Sequence, residues 1–195
     1  AALLCLYEFK APSCVIVKHG SPCGVGAGKT PRAAFLNALA VDPLSAFGGV
    51  VVMNKKCDFS TARELNKTFF EIIVAPSFAR DALSLFSKKK NLRVLSLSGY
   101  KPKKAFGKEI AGGWVVQETD LSKLKTSQLK TVTKKAPTKT QLSTLALAWK
   151  VVKHTKSNAI VVAHNKKIIS ISGGQTSRVD AVRYALTKTK IPSGA

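Results

Sequence analysis

Lys18 and His19 stand together at the end of a short apolar run, Cys14-Val15-Ile16-Val17. An imidazole can accept a proton from a reacting group, and a neighbouring ammonium can steady an oxygen that gains negative charge. Side by side, the two could serve a transfer reaction that needs both. Taken alone, the same pair also reads as a polar strand end, so the elements around it have to decide.

A β-branched run this short argues a buried strand. Its C-terminal end is where α/β folds place their chemistry. Ser21-Pro22-Cys23-Gly24 reads as a turn, because Pro fixes φ and Gly permits positive φ. Pro31 opens a helix to Val41 with Ala34, Phe35, Ala38 and Leu39 on one face. Asp42-Pro43 stops it, and Gly48-Gly49 leads into a second apolar run, Val50 to Met53. Ser60 is expected to cap a helix from Thr61 to Phe69. Glu71 to Ala75 reads as a strand, Phe78 to Phe86 as a helix and Leu92 to Leu97 as a strand. Gly99 to Lys108 reads as a loop, Trp114 to Gln117 as a brief strand, and Ser122 to Thr140 as an extended connector. Periodicity resumes at Leu142 in a helix running to about His154. Asn158 to Ala163 and Ile168 to Ile171 form a hairpin, and a last helix covers Thr176 to about Thr187. The pattern is α/β, a layered mixed sheet with flanking helices. Residues 1–100 are expected to form a first subdomain and 101–140 a basic connector.

Several familiar patterns fail on inspection. Gly24 to Thr30 looks like a phosphate loop, but the position that must be Gly is Cys23. The third Gly of a dinucleotide fingerprint comes one residue early. Pro22-Cys23 lacks the second Cys of a zinc deaminase, position 26 being Gly26, and no His-x-Glu accompanies it. No metal site is expected. Cys5, Cys14, Cys23 and Cys57 show no CxxC spacing and no disulfide framework. Cys14 reads as a small buried hydrophobe. His154 and His164 read as exposed polar residues, and Phe47, Trp114 and Trp149 as core.

Six ordered motifs give the chain a resemblance. Lys18-His19-Gly20-Ser21-Pro22-Cys23-Gly24 and Asp42-Pro43-Leu44-Ser45-Ala46-Phe47-Gly48-Gly49 are similar to motifs of AICAR transformylase, the folate-dependent formyltransferase half of a bifunctional purine enzyme. The others run from Phe70 to Pro76, Gly112 to Gln117, Trp149 to Ile160 and Gly173 to Val179. The resemblance implies cytidine-deaminase-like subdomains, the second of them incomplete over 141–195, with Lys18, His19 and Asn158 catalytic. It implies substrate contacts from Ser21, Pro22, Gly24, Asp42, Ser45, Phe47, Gly48, Gly173 and Gln175, and 10-formyltetrahydrofolate as formyl donor. The family's upstream Arg-Tyr-Gly-x-Asn-Pro-His-Gln and downstream Ser-Asp-Ala-Phe-Phe-Pro-Phe motifs are absent, as is the cyclohydrolase domain. The chain is therefore expected to be truncated at both ends, to bind no cofactor by itself and to be inactive alone.

Composition sets a rival expectation. The 195 residues are 45% hydrophobic, which excludes general disorder, and carry a net charge of +22. Residues 1–100 hold 13 basic and 6 acidic side chains, and residues 101–195 hold 19 and 4. Lys88, Lys89, Lys90, Lys103, Lys104, Lys134, Lys135, Lys166 and Lys167 cluster in loops and suit phosphate contacts. No apolar run reaches the roughly 20 residues of a membrane span, and Ala1 to Leu6 lacks the basic region of a secretory signal. Charge and truncation together favour a truncated transformylase-like chain repurposed as an RNA-binding structural subunit of a ribonucleoprotein. Its most concrete form is a mitochondrial or other organellar ribosome, with rRNA and neighbouring proteins as partners and no membrane. The alternative is a fragment of the purine-pathway formyltransferase in the cytoplasm.

Overall fold

The computed structural model describes residues 1–188, 190 and 192. Helix α1 (Ala2–Leu6) leads into β1 (Ser13–Lys18), which pairs antiparallel with β2 (Ser21–Ala27). The segment expected to be a turn is thus a strand, and the turn is His19-Gly20. Lys18 pairs with Ser21, so the connection is a two-residue hairpin loop, with φ of 51° at His19 and 79° at Gly20. Positive φ at both positions is what matches the loop to the strands' twist. Pro22 is tolerated because β2 lies at the sheet edge, where no ladder needs its missing N–H.

The glycines of β2 have a packing role. Helix α2 (Pro31–Leu39) starts where the Thr30 side chain accepts a bond from the Ala33 N–H at 3.1 Å. The helix then lies directly on β2. A Cβ at Gly24 would overlap the Ala38 carbonyl oxygen, and one at Gly26 would overlap backbone atoms of Ala34 and Ala38. Glycine here permits close backbone approach rather than a bend.

Helix α3 (Pro43–Ala46), β3 (Gly49–Met53), α4 (Phe59–Leu65), β4 (Phe70–Ala75), α5 (Arg80–Phe86) and β5 (Arg93–Ser96) follow. Helix α4 begins earlier than expected, because Asp58 rather than Ser60 is its cap and accepts from the Thr61 N–H at 2.8 Å. It also ends earlier, at Leu65, and Phe69 lies outside it. The strands form one mixed sheet in the order β2-β1-β3-β4-β5. β1 runs antiparallel to both neighbours, and β3, β4 and β5 run parallel. The alternation of the strands sorts their side chains between two cores. Cys14, Ile16, Val51, Met53 and Ile73 face α2, α4 and α5 through Phe35, Leu65 and Phe86. Val15, Val17, Val25, Val52 and Val74 face the other way, against Cys5, Leu6, Val151, Ile168 and Ile171.

Apart from α1, that second layer comes from the far half of the chain. β6 (Ala105–Ile110) and β7 (Gly113–Glu118) make a hairpin whose residues are all exposed. The loop expected to reach Lys108 therefore stops short of β6. Residues 119–138 hold only one 3₁₀ turn, Thr126–Gln128. Helix α6 (Lys139–Val152) starts earlier than its apolar pattern, with a capping box between Thr138 and Gln141. Strands β8 (Ile160–His164) and β9 (Lys167–Ser172) pair antiparallel, and α7 (Arg178–Thr187) closes the described chain. Trp114 and Trp149, expected in the core, are 67% and 56% exposed. His154, expected at the surface, is mostly enclosed and sits 3.2 Å from Glu8, which also pairs with Lys153 at 2.9 Å. Burial pushes the His154 imidazole below its ordinary range, against the opposing pull of Glu8. Among the described residues no helix is long and apolar enough to cross a membrane.

Two predictions follow from this packing. Gly26→Ala forces β2 away from α2 and should cost about 1–3 kcal/mol or more by overpacking. Gly113→Ala, with nothing within 4 Å of the added carbon, should cost far less; equal urea midpoints for the two variants would contradict the packing argument. Because the folded protein holds His154 neutral, the unfolded chain takes up the proton first as pH falls below about 6.5. Stability should decline from there down to the folded pKa, and His154→Gln should flatten that decline in melting curves recorded between pH 8 and 5.

Candidate active site

The hairpin turn between β1 and β2 places the first two candidates. Lys18, the last residue of β1, donates from Nζ to the Phe47 carbonyl at 2.6 Å. An ammonium has three donors, so this bond orients the group and leaves donors for a ligand. His19 occupies the first positive-φ position of the turn and is exposed. Left-handed backbone is uncommon for a residue with a side chain, though His is among those enriched there. The antiparallel pairing of β1 with β3 brings this end of β1 to the start of β3, since Val17 faces Val50. The site therefore lies at the amino ends of the parallel strands, not at the carboxyl ends that the general rule for α/β sheets favours.

The loop before β3 forms the next wall. Asp42 caps α3, accepting from the Ser45 N–H at 2.9 Å. The other carboxylate oxygen lies 2.8 Å from Lys188 Nζ at the end of α7. Partial burial pushes the Asp42 carboxyl up, but the bonds from Lys188 and Ser45 outweigh it and hold it below its ordinary range. Asp42 is thus an ionised carboxylate engaged on both sides. Phe47, expected in the core, is 58% exposed and leans on Phe69 with ring centroids 5.4 Å apart. Gly48 has φ of 70°, and its N–H bonds the Phe69 carbonyl at 2.8 Å. Cys23 and Gly24 face inward, and burial, with Asp42 adding to it, pushes the Cys23 thiol up to about 11. Cys23 is therefore a protonated packing residue, not a nucleophile.

The second layer supplies the remaining candidates. Asn158 and Gln175 exchange backbone bonds at 3.0 and 3.3 Å. The Asn158 side chain donates to the carbonyls of Gln175 and Thr176 at 2.9 and 3.1 Å. Gly173 packs against Thr155, and a Cβ there would lie 3.5 Å from Ser21 Oγ. A Cβ at Gly20 would lie 3.6 Å from Lys156 Nζ. The loops 19–21, 155–158 and 173–175 thus meet at the His19 turn. Lys18 reaches Phe47 and Ser21 faces Gly173, while Asn158 and Gln175 tie the two adjoining loops to each other and Pro22 and Gly24 are buried. Asp42 and Ser45 contribute by shaping the loop.

Two cations had no assigned role in the sequence: Lys156, beside Gly20, and Lys188, beside Asp42. Lys156 sits inside a motif whose Asn drew the attention, and Lys188 follows the last motif; only the fold signals either one. Lys88 and Lys90 are exposed after α5, whereas Lys89 turns onto the Asn66 and Thr68 carbonyls at 2.7 and 3.3 Å. Lys103, Lys104, Lys134, Lys135 and Lys166 are exposed in three further loops, and Lys167 is exposed at the start of β9. Among the described residues no group of three His, Cys, Asp or Glu side chains gathers as a metal would require.

Chemically, the assembly offers a projected imidazole, an oriented ammonium, a second ammonium and an exposed aromatic face. Those are the parts of a polar transfer reaction on an anionic substrate with a planar portion. Asn158→Asp would turn a donor into a charged acceptor facing two carbonyls. It should cost about 1–3 kcal/mol and speed amide exchange at Gly174 and Gln175, with Asn158→Ala milder; exchange unchanged in the Asp variant would show that the Asn158 side chain does not hold the Gln175–Thr176 segment.

Comparison with known proteins identifies the lineage of this geometry. The family model of the AICARFT/IMPCHase bienzyme matches residues 1–188. The bifunctional purine biosynthesis protein PurH of Lactobacillus delbrueckii subsp. bulgaricus is 45% identical over 95% of this chain and 37% of its own length. PurH of Persephonella marina is 46% identical over 97% and 37%, and PurH of Aquifex aeolicus 45% identical over 91% and 34%. The chain thus spans little more than a third of the relatives it matches. Relationship to purine biosynthesis proteins along nearly the whole chain overturns the expectation of a ribonucleoprotein or ribosomal subunit. The chain belongs to the AICARFT/IMPCHase bienzyme family.

Proposed function

We propose that this chain is the portion of a purine biosynthesis enzyme that carries the catalytic pair of formyl transfer, from 10-formyltetrahydrofolate to the amine of AICAR. The observation that carries the reading is the Lys18-His19 pair, projected at a two-residue turn with the Asn158 and Gly173 loops packed beside it. The relatives' names support the pathway. The five-stranded order β2-β1-β3-β4-β5 with flanking helices supports a cytidine-deaminase-like first subdomain.

In this reading the formyl donor is a substrate, and the exposed Phe47 ring against Phe69 suits its flat ring system. The amine nitrogen attacks the formyl carbon, and the bond from that carbon to the donor nitrogen breaks. His19 takes the proton from the attacking amine and returns it to the departing nitrogen. Lys18 donates to the oxygen that gains charge in between, its direction set by the Phe47 carbonyl. Asn158 holds the Gln175–Thr176 segment that borders the substrates.

The test is to put this chain in place of its counterpart in the Lactobacillus relative and follow release of tetrahydrofolate. The chimaera should turn over, and His19→Ala should lower kcat by about 10²–10⁴-fold while leaving the melting temperature unchanged. A chimaera that works equally well with and without His19 would sink the assignment.

A further inference from the structure

Lys188 is the point where the last described helix reaches the site. Its Nζ lies 2.8 Å from Asp42 Oδ2 and 3.1 Å from the Ile171 carbonyl, and 5.3 Å from the centre of the Tyr184 ring one turn back on α7. Its side chain is 22% exposed and that of Asp42 12%. The pair is therefore partly withdrawn from water, where a charge-assisted bond is stronger than at an open surface. Asp42 passes the restraint on. Its other oxygen holds the Ser45 N–H, so the carboxylate joins α7 to α3. Directly after α3 come Phe47, whose carbonyl receives Lys18, and Gly48, bonded to Phe69.

From these contacts we infer that Lys188 is a positioning residue: through Asp42 it sets the Ser45–Gly48 loop, and that loop aims the Lys18 ammonium. The inference rests on the formyl-transfer reading for what the ammonium then does. It gives Asp42 a role different from direct substrate contact. Both carboxylate oxygens already have partners, and the charge is compensated inside the protein. It also makes the site depend on a segment that touches none of the proposed reacting atoms. Ile171 immediately precedes Ser172 and Gly173, so the same ammonium restrains the loop that packs against Ser21.

Amide hydrogen exchange of the 195-residue chain tests the restraint without any turnover. In Lys188→Met the Ser45 and Gly48 amides should exchange about tenfold faster, the effect of losing one hydrogen bond to a charged group. Amides of β1 and β3 should keep their rates, and Lys188→Arg should restore protection. The same substitutions in the chimaera should lower kcat in Lys188→Met with KM nearly kept, and recover it in Lys188→Arg. Unchanged Ser45 and Gly48 exchange, or equal acceleration of every amide, overturns the inference. A wild-type chimaera without formyl transfer, but with the exchange effect intact, defeats the functional reading and leaves the positioning role standing.

Discussion

The strand β1 has no polar face, and the fold is arranged around that constraint. Cys14 and Ile16 point into one core and Val15 and Val17 into the other; Cys14, Val15 and Ile16 are sealed from solvent and Val17 nearly so. A strand apolar on both sides is stable only between two layers. One layer is local: α2, α4 and α5 come from the next 75 residues or so of sequence. The other is distant, with α6, β8 and β9 returning from the far half of the chain. Where β1 leaves this sandwich the chain has to become polar, and that exit is where Lys18 and His19 stand. The proposed catalytic pair sits where the burial requirement ends.

The same constraint explains what could be read in advance. The β-branched run of β1, the apolar run of β3 and the apolar face of α2 are local signals, and they placed those elements well. The six motifs placed the ancestry. What sequence missed depends on neighbours. Gly24 and Gly26 look like turn residues because composition cannot show that a helix backbone lies across them. Phe47 looks like core because its own neighbourhood is apolar, yet the ring stands at the mouth of the site against Phe69. His154 looks like surface because its partner, Glu8, lies 146 residues away. Asn158 and Gln175 could be named from motifs, but their mutual bonding, and Lys188 as Asp42's counter-ion, became visible only with the fold.

Net charge was the most misleading feature. An excess of 22 positive charges is a legitimate statement about fields and solubility, but it names no partner. Nucleotides and folates are anions as well, so a basic balance is compatible with small anionic substrates. One member of the clusters that seemed to favour a polyanion, Lys89, is engaged with the backbone carbonyls just before Phe69. Charge counted along a sequence ignores such engagement. Lineage read from motifs does not depend on it, which is why the two lines of inference diverged.

The attachment of the two halves divides its labour between apolar and charged contacts. The shared core of Val15, Val17, Val151, Ile168 and Ile171 supplies adhesion, which is strong but carries little direction. Direction comes from ion pairs. Lys153 meets Glu8 at 2.9 Å, tying α6 to the end of α1, and Lys188 meets Asp42 at 2.8 Å, tying α7 to α3. Each pair joins residues about 145 positions apart, and each is partly shielded from water. Two such ties on one apolar interface remove the freedom to slide or rotate that an apolar contact alone would allow. A site assembled from the His19 turn on one half and the Asn158 and Gly173 loops on the other needs that restriction, since misplacement by about 1 Å is enough to cost a transfer reaction dearly.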